Sequence, residues 1–264
     1  MKTTSNGCAG TGVVMVGAIV VGVLVVCFSA SPVLATSVTL QNATASYEQG
    51  ATGPYGAFTA ASAIDAAVTD ASPGWAIYHY DTGLTNAEWA AFEAASAIVS
   101  PGGSSLTFTI KQEFGNFHPI GRFLLSVTDA ATPFGPGTVW TALAPLSFAS
   151  AAGEIGQVLG DSSILVNTIN NGHPAPDIDT YTVAASSPLT TITGFRLDAI
   201  ADSTLPFDGP GRQPTNGNFV ITSFLVDAAP LPLPLQEVPE PLTLLAVLMG
   251  STGLVAYLRK RPLT

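Results

Sequence analysis

The sequence predicts an all-β fold, a jelly-roll-like antiparallel β-sandwich flanked by an N-terminal signal peptide and a C-terminal transmembrane helix. Three observations carry that reading. Short segments alternate apolar and polar residues and are separated by turn-rich stretches. Thr, Ser, Gly, Ala and Val dominate, and few helix signals survive along the chain. Finally, the uncharged apolar runs at both ends differ in texture from the about two hundred residues between them, which suffice for a full sandwich core.

Residues 1–35 have the build of a signal peptide. Lys2 and the terminal amine supply a weakly basic start, residues 13–28 form an apolar stretch, and Val33 and Ala35 supply the small residues a signal peptidase accepts. Cleavage is expected after Ala35. An uncleaved anchor would need a longer apolar helix. A lipoprotein reading through Cys27 fails because Val26 is too large for the position before it.

The sandwich is expected over residues 36–229. Leu106, Phe108 and Ile110 alternate with Thr107, Thr109 and Lys111, so that segment buries one face and wets the other. Phe123, Leu125 and Val127 repeat the pattern after a loop over 115–121. Further strands are expected at 38–46, 163–169, 180–184, 191–200 and 218–226. Residues 86–97 favour helix by their alanines and Glu88 and Glu93, yet a strand fits the sandwich, and strand is the reading adopted.

Residues 230–238 are a spacer that Pro230, Pro232 and Pro234 stiffen. Residues 239–264 follow, with an uncharged run at 242–258 near the short limit for a membrane helix and Arg259, Lys260 and Arg261 behind it. The basic triplet resists crossing, so the tail is expected to stay on the cytoplasmic side, with the rest of the chain outside.

Composition narrows the function. Cys8 and Cys27 both precede residue 36, so the mature chain can form neither a disulfide framework nor a thiolate metal site. Net charge is −10, and Lys111, Arg122, Arg196 and Arg212 are the only basic residues over 36–238. Such a surface repels phosphates and argues against nucleic acid. It suits calcium or a neutral glycan better than an anionic polymer, or serves only solubility.

The tail resembles the PEP-CTERM sorting signal through Pro239, Glu240 and Pro241, followed by the apolar run and the basic cluster in that order at the chain's end. The resemblance covers about the last tenth of the chain. It implies recognition by an exosortase, removal of the tail, and delivery to the envelope or the extracellular polymer matrix. A Gram-positive sorting signal would need Leu-Pro-any-Thr-Gly, which Leu231-Pro232-Leu233-Pro234 does not supply.

Two further stretches carry a second resemblance. The first runs from Ala43-Thr44-Ala45-Ser46-Tyr47 through Ala63-Ile64-Asp65 to Gly74-Trp75-Ala76, and resembles the opening of a discoidin or galactose-binding-like domain. The second comprises Phe114-Gly115, His118, Ile120-Gly121-Arg122-Phe123, Phe195-Arg196-Leu197-Asp198, Gly209-Pro210-Gly211-Arg212 and Asn216-Gly217-Asn218-Phe219-Val220. The resemblance implies a jelly roll and a carbohydrate-binding or adhesive module rather than an enzyme. Such domains often tie a structural calcium to a glycine after the turn aspartate and to a glutamate in the last strand. Ala66 and Ser223 stand there instead, so calcium would need other oxygens, such as those of Asp65, Asp70 and backbone carbonyls. The turn chemistry of Asp65 is the alternative.

Among chemistry-bearing residues, His79, His118 and His173 are the only histidines, and neither a zinc-protease motif nor a serine nucleophile elbow occurs. A pair of carboxylates of glycosidase type stays open, because their spacing in space is invisible in sequence. The candidate ligand contacts are Tyr78, Tyr80, His118, Arg122 and Arg212. Tyr78 and Tyr80 are expected on one strand face, with their rings available for sugar stacking. Arg122, Arg196 and Arg212 could hold sugar hydroxyls, or could make ordinary ion pairs with neighbours such as Asp198. Trp75 is expected in the core, and Trp89 joins the aromatic cluster. Three readings remain: a glycan-binding surface or matrix module, a structural matrix protein without specific ligand, and a glycan-active enzyme.

Overall fold

A computed structural model describes residues 34–65, 69, 72–83, 85–166 and 175–232. Most of the signal peptide, Asp70, His173, most of the spacer and the whole sorting tail, including Pro239, Glu240, Pro241, Arg259, Lys260 and Arg261, lie outside the described residues. Among the described residues, no helix is long and apolar enough to cross a membrane.

The strands in chain order are β1 (Thr36–Ser37), β2 (Leu40–Ala45), β3 (Trp75–Ala76), β4 (Glu88–Val99), β5 (Ser104–Gln112), β6 (Arg122–Thr128) and β7 (Thr141–Ala142). They continue as β8 (Pro145–Ser150), β9 (Gly156–Val158), β10 (Ile164–Val166), β11 (Asp179–Ser187), β12 (Thr191–Ala199), β13 (Val220–Ile221) and β14 (Ser223–Pro230). All pairings are antiparallel. One sheet has the order β1-β14-β5-β11-β8, and the second has the order β2-β4-β12-β6-β10-β9 with β7 added on β6. β13 and β3 form a separate two-stranded ribbon.

The alternation read in the sequence becomes the core. Leu106, Phe108 and Ile110 of β5 are fully buried, as are Phe123 and Val127 of β6 and Phe195 of β12. Rings from the two sheets meet across it: Phe92 stacks on Phe224 at 4.7 Å between centroids, and Phe108 meets Phe195 edge-on at 5.9 Å. Trp75 is buried as expected, with Nε1 donating to the Tyr47 carbonyl at 3.0 Å.

Of residues 86–97, those from Glu88 onward form β4, which runs on to Val99, because tertiary contacts override alanine's helix propensity. β4 pairs with β2 on one side and β12 on the other. Residues 90–94 are buried without alternation because both faces of β4 are covered. Residues 218–226, expected as one strand, divide instead. Thr222 breaks the run by donating its amide to the Lys111 carbonyl at 2.8 Å and accepting from the Glu113 amide, so β13 and β14 join different sheets. The expected strand at 163–169 is described only as the short β10. Strands β7, β8 and β9 had no clear alternation to reveal them, since they are short or at a sheet edge with one face wet.

Candidate functional site at the loop end of the sandwich

Register places one set of strand ends together. Gln112 of β5 pairs with Asp179 of β11, while in the other sheet Glu88 of β4 and Phe123 of β6 both pair with Ala199 of β12. Stacking of Phe123 on Tyr181, and the bond from the Tyr181 hydroxyl to the Ile120 carbonyl, bring both sets to the same end of the sandwich. The loops around 46–58, 77–87, 113–121 and 200–219 gather there.

Backbone and amide bonds knit these loops. Gln49 is the hub. Its Oε1 accepts from the Tyr78 amide at 3.1 Å and from Asn218 Nδ2 at 2.9 Å, and its Nε2 donates to the Tyr80 hydroxyl at 3.1 Å. The Val220 amide donates to the His118 carbonyl, and the Arg212 amide to that of Pro119. Gly211 must be glycine, because a Cβ there would collide with the Asn218 carbonyl group. All five expected ligand contacts therefore reach one end of the fold. Their side chains have different surroundings.

Tyr78 and Tyr80 follow β3 in an irregular segment and not on a strand face as expected. Their rings still meet, edge to face at 5.1 Å, and Tyr80 is 52% exposed. Next to them Tyr47 stacks on His79 with centroids 3.5 Å apart, and His79 Nε2 lies 3.2 Å from Glu88 Oε1. Sequence reading missed Tyr47, Gln49 and His79 as part of this group, since their contacts join distant loops.

His118 is mostly buried. Its Nδ1 donates to the Gly115 carbonyl at 2.9 Å, and its ring stands edge-on to Phe114 at 5.3 Å. Burial holds its pKa below the ordinary histidine value of 6.5, against the opposing pull of the Gly115 and Asn116 carbonyls and Asp177. The unfolded chain therefore takes up this proton before the folded one, and stability is expected to fall as pH drops below 6.5. Melting temperatures measured from about pH 7.5 to about pH 5 should show this slope, and His118→Gln should flatten it. An unchanged slope in that variant would count against the assignment.

Arg122 is held by its own chain. Its Nη2 meets Asp161 at 2.6 Å, Nη1 meets Asp202 at 3.1 Å, and Nε donates to the Ser163 hydroxyl. Hydrogen bonds from Ser163, and then from Arg122, keep the Asp161 carboxyl below its usual range. Arg212 is only 3% exposed at its side chain and donates to Glu154 Oε2 at 3.0 Å. Both guanidinium groups thus sit in internal ion pairs, the second of the two readings open in the sequence. The Arg212 side chain is sealed from solvent in this arrangement.

Asp65 accepts a hydrogen bond from the Ser72 hydroxyl. Among the described residues, no three His, Asp or Glu side chains converge as a metal site would require. Asp70 lies outside the described residues, so a calcium ion held by Asp65, Asp70 and backbone carbonyls stays an expectation of the sequence.

The exposed aromatic side chains are concentrated at this end. Tyr80, Phe117 and Phe207 are 52%, 41% and 59% exposed, one on each of three loops. Phe117 and Phe207 have left-handed backbone, with φ of 62° and 55°. A bulky residue holds such a conformation at a cost of about 1–3 kcal/mol, and does so mostly at functional sites.

The fold and this end define an antiparallel β-sandwich with an aromatic loop surface. No protein-family model matches the chain, and no curated protein matches it. Among solved structures, it is similar to the family 32 carbohydrate-binding module of C. perfringens NanJ in complex with galactose. Sequence identity is 14%, the match covers 74% of this chain and 99% of that chain, and the TM-score is 0.43.

Proposed function

We propose that this is a non-enzymatic, exported surface or matrix protein whose jelly-roll-like sandwich binds glycans through its loop end. The observation that carries the reading is the exposure of Tyr80, Phe117 and Phe207 on three loops at one end of the sandwich. Aromatic faces pack against the C–H face of a sugar ring, and a rigid loop presents them at low entropic cost. The Gln49 hub supports Tyr80 and Tyr78 from behind, so this part of the surface is preorganised.

Export rests on the two ends of the sequence. Signal peptidase would act after Ala35, and an exosortase would act at Pro239-Glu240-Pro241, with the helix over 242–258 as a membrane anchor before removal. Mass spectrometry of the extracellular protein should find a carboxyl terminus near Pro239. An intact Thr264 terminus on protein released from the cell would exclude removal of the tail.

Binding is tested with the full chain in mild detergent against the polysaccharides of the producing cell. Tyr80→Ala and Phe207→Ala should each weaken retention by about tenfold, or ~1.4 kcal/mol, with melting temperature unchanged in Phe207→Ala. Absence of retention on every polysaccharide would leave the structural matrix reading. Turnover of a glycan that Asp or Glu substitutions abolish would favour the enzyme.

A further inference from the structure

Away from the loop end, the outer face of the larger sheet carries a second aromatic concavity. Residues 129–140 leave β6, fold back over that face and return as β7 beside β6. Both ends of this flap are tied down. Thr128 Oγ1 donates to the Val139 carbonyl at 2.8 Å, and Thr193 Oγ1 donates to that of Ala130 at 2.6 Å. A turn closed by the Thr138 amide on the Gly135 carbonyl forms its tip. Phe134 lies over Gly194, where a Cβ would collide with its ring. Glycine at this strand position therefore admits the flap.

Between flap and sheet lies a cleft of about 360 Å³, within the range of about 300–1,000 Å³ of ligand pockets. Trp89 from β4, Phe134, Thr138 and Trp140 from the flap, and Arg196 from β12 line it. The Arg196 guanidinium carbon lies 4.9 Å from the Trp89 ring centre and 6.0 Å from that of Trp140. Asp198 takes both Nε, at 3.0 Å, and Nη2 on its Oδ1. Among the described residues Nη1 has no hydrogen-bond partner, and it remains a donor on the guanidinium that lines the cleft.

The charge balance selects the ligand. Among the described residues Arg196 is the only charged one lining the cleft, and Asp198 neutralises it. A carboxylate ligand would gain one arginine contact and meet the Asp198 charge beside it. A neutral hydroxylated ring suffers no such repulsion, packs its C–H face on indole, and accepts from Nη1.

We propose that the Trp89–Trp140–Arg196 cleft binds one neutral pyranose ring of a glycan, as a site separate from the loop end. The chain has three tryptophans, and Trp75 is fully buried, so it contributes a steady background while ligand-induced emission changes and acrylamide quenching report mainly on the two indoles of the cleft. The full chain in mild detergent is titrated with gluco-, manno- and galacto-oligosaccharides and with an oligogalacturonate. A neutral oligosaccharide should produce a saturable emission change and shield the indoles from acrylamide quenching, and the uronate should bind at least about tenfold more weakly. Trp140→Ala and Arg196→Gln should each weaken the neutral ligand about tenfold or more, Trp140→Phe should retain most binding, and Tyr80→Ala should leave the emission response intact. Because shielding is measured on the unaltered chain, a folding defect in a variant does not remove the test. No emission change with any neutral saccharide, tighter binding of the uronate, or an unaltered response in a folded Trp140→Ala protein would each overturn the proposal. Loss of the response in Tyr80→Ala alone would assign it to the loop end instead.

Discussion

Phe108→Ala is expected to cost about 3–5 kcal/mol, because it removes a large buried ring from the centre of β5 and leaves a cavity. The Phe108 ring touches Phe195 of the opposite sheet and Phe224 of the adjacent strand, each with centroids 5.9 Å apart. Its strand neighbours Val183 and Val226 are buried beside it, so the walls have little room to collapse. No cysteine lies within 36–238, and nothing covalent compensates for the loss. For a domain of this size about 1 kcal/mol shifts the melting temperature by about 2–4 °C, so a drop of at least about 6 °C is expected by calorimetry. A drop under about 2 °C would show that the two sheets do not depend on this contact.

Breaking the Arg212–Glu154 pair is expected to cost nearly as much. Arg212 Nη2 lies 3.0 Å from Glu154 Oε2, with side chains only 3% and 14% exposed. Glu154→Gln leaves the guanidinium charge buried without its counter-ion, a loss of about 3–5 kcal/mol in urea unfolding. The double variant Arg212→Met with Glu154→Gln removes the charge as well, and should recover most of that loss. This pattern separates a desolvated pair from a rim pair worth about 0–1 kcal/mol. Equal stability of Glu154→Gln and the unaltered chain would sink the assignment.

These two expectations concern the loop end of the sandwich and the core at the centre of the sheets beneath it. The core under it depends on apolar burial, while the loops above it depend on ion pairs and amide bonds. Arg122 and Arg212 hold loops in place, and the exposed rings of Tyr80, Phe117 and Phe207 occupy the surface so formed.

The sequence by itself determined the β class, the main strands and the lack of covalent cross-links. Period-two alternation is a local property, and Leu106, Phe108 and Ile110 show it without reference to any partner strand. The Pro-Glu-Pro tail is local too, and its reading rests on residue order alone. Alternation does not say which strand lies beside which. Only the tertiary structure placed Trp89, Trp140 and Arg196 around one cleft, since they come from β4, the flap after β6, and β12. It also decided that 86–97 extends as a strand, because pairing with β2 and β12 outweighs a helix preference of tenths of a kcal/mol per residue. For Arg122 and Arg212 the sequence left two roles open. Their counter-ions, Asp161, Asp202 and Glu154, lie far along the chain, and long-range pairing chose between those roles.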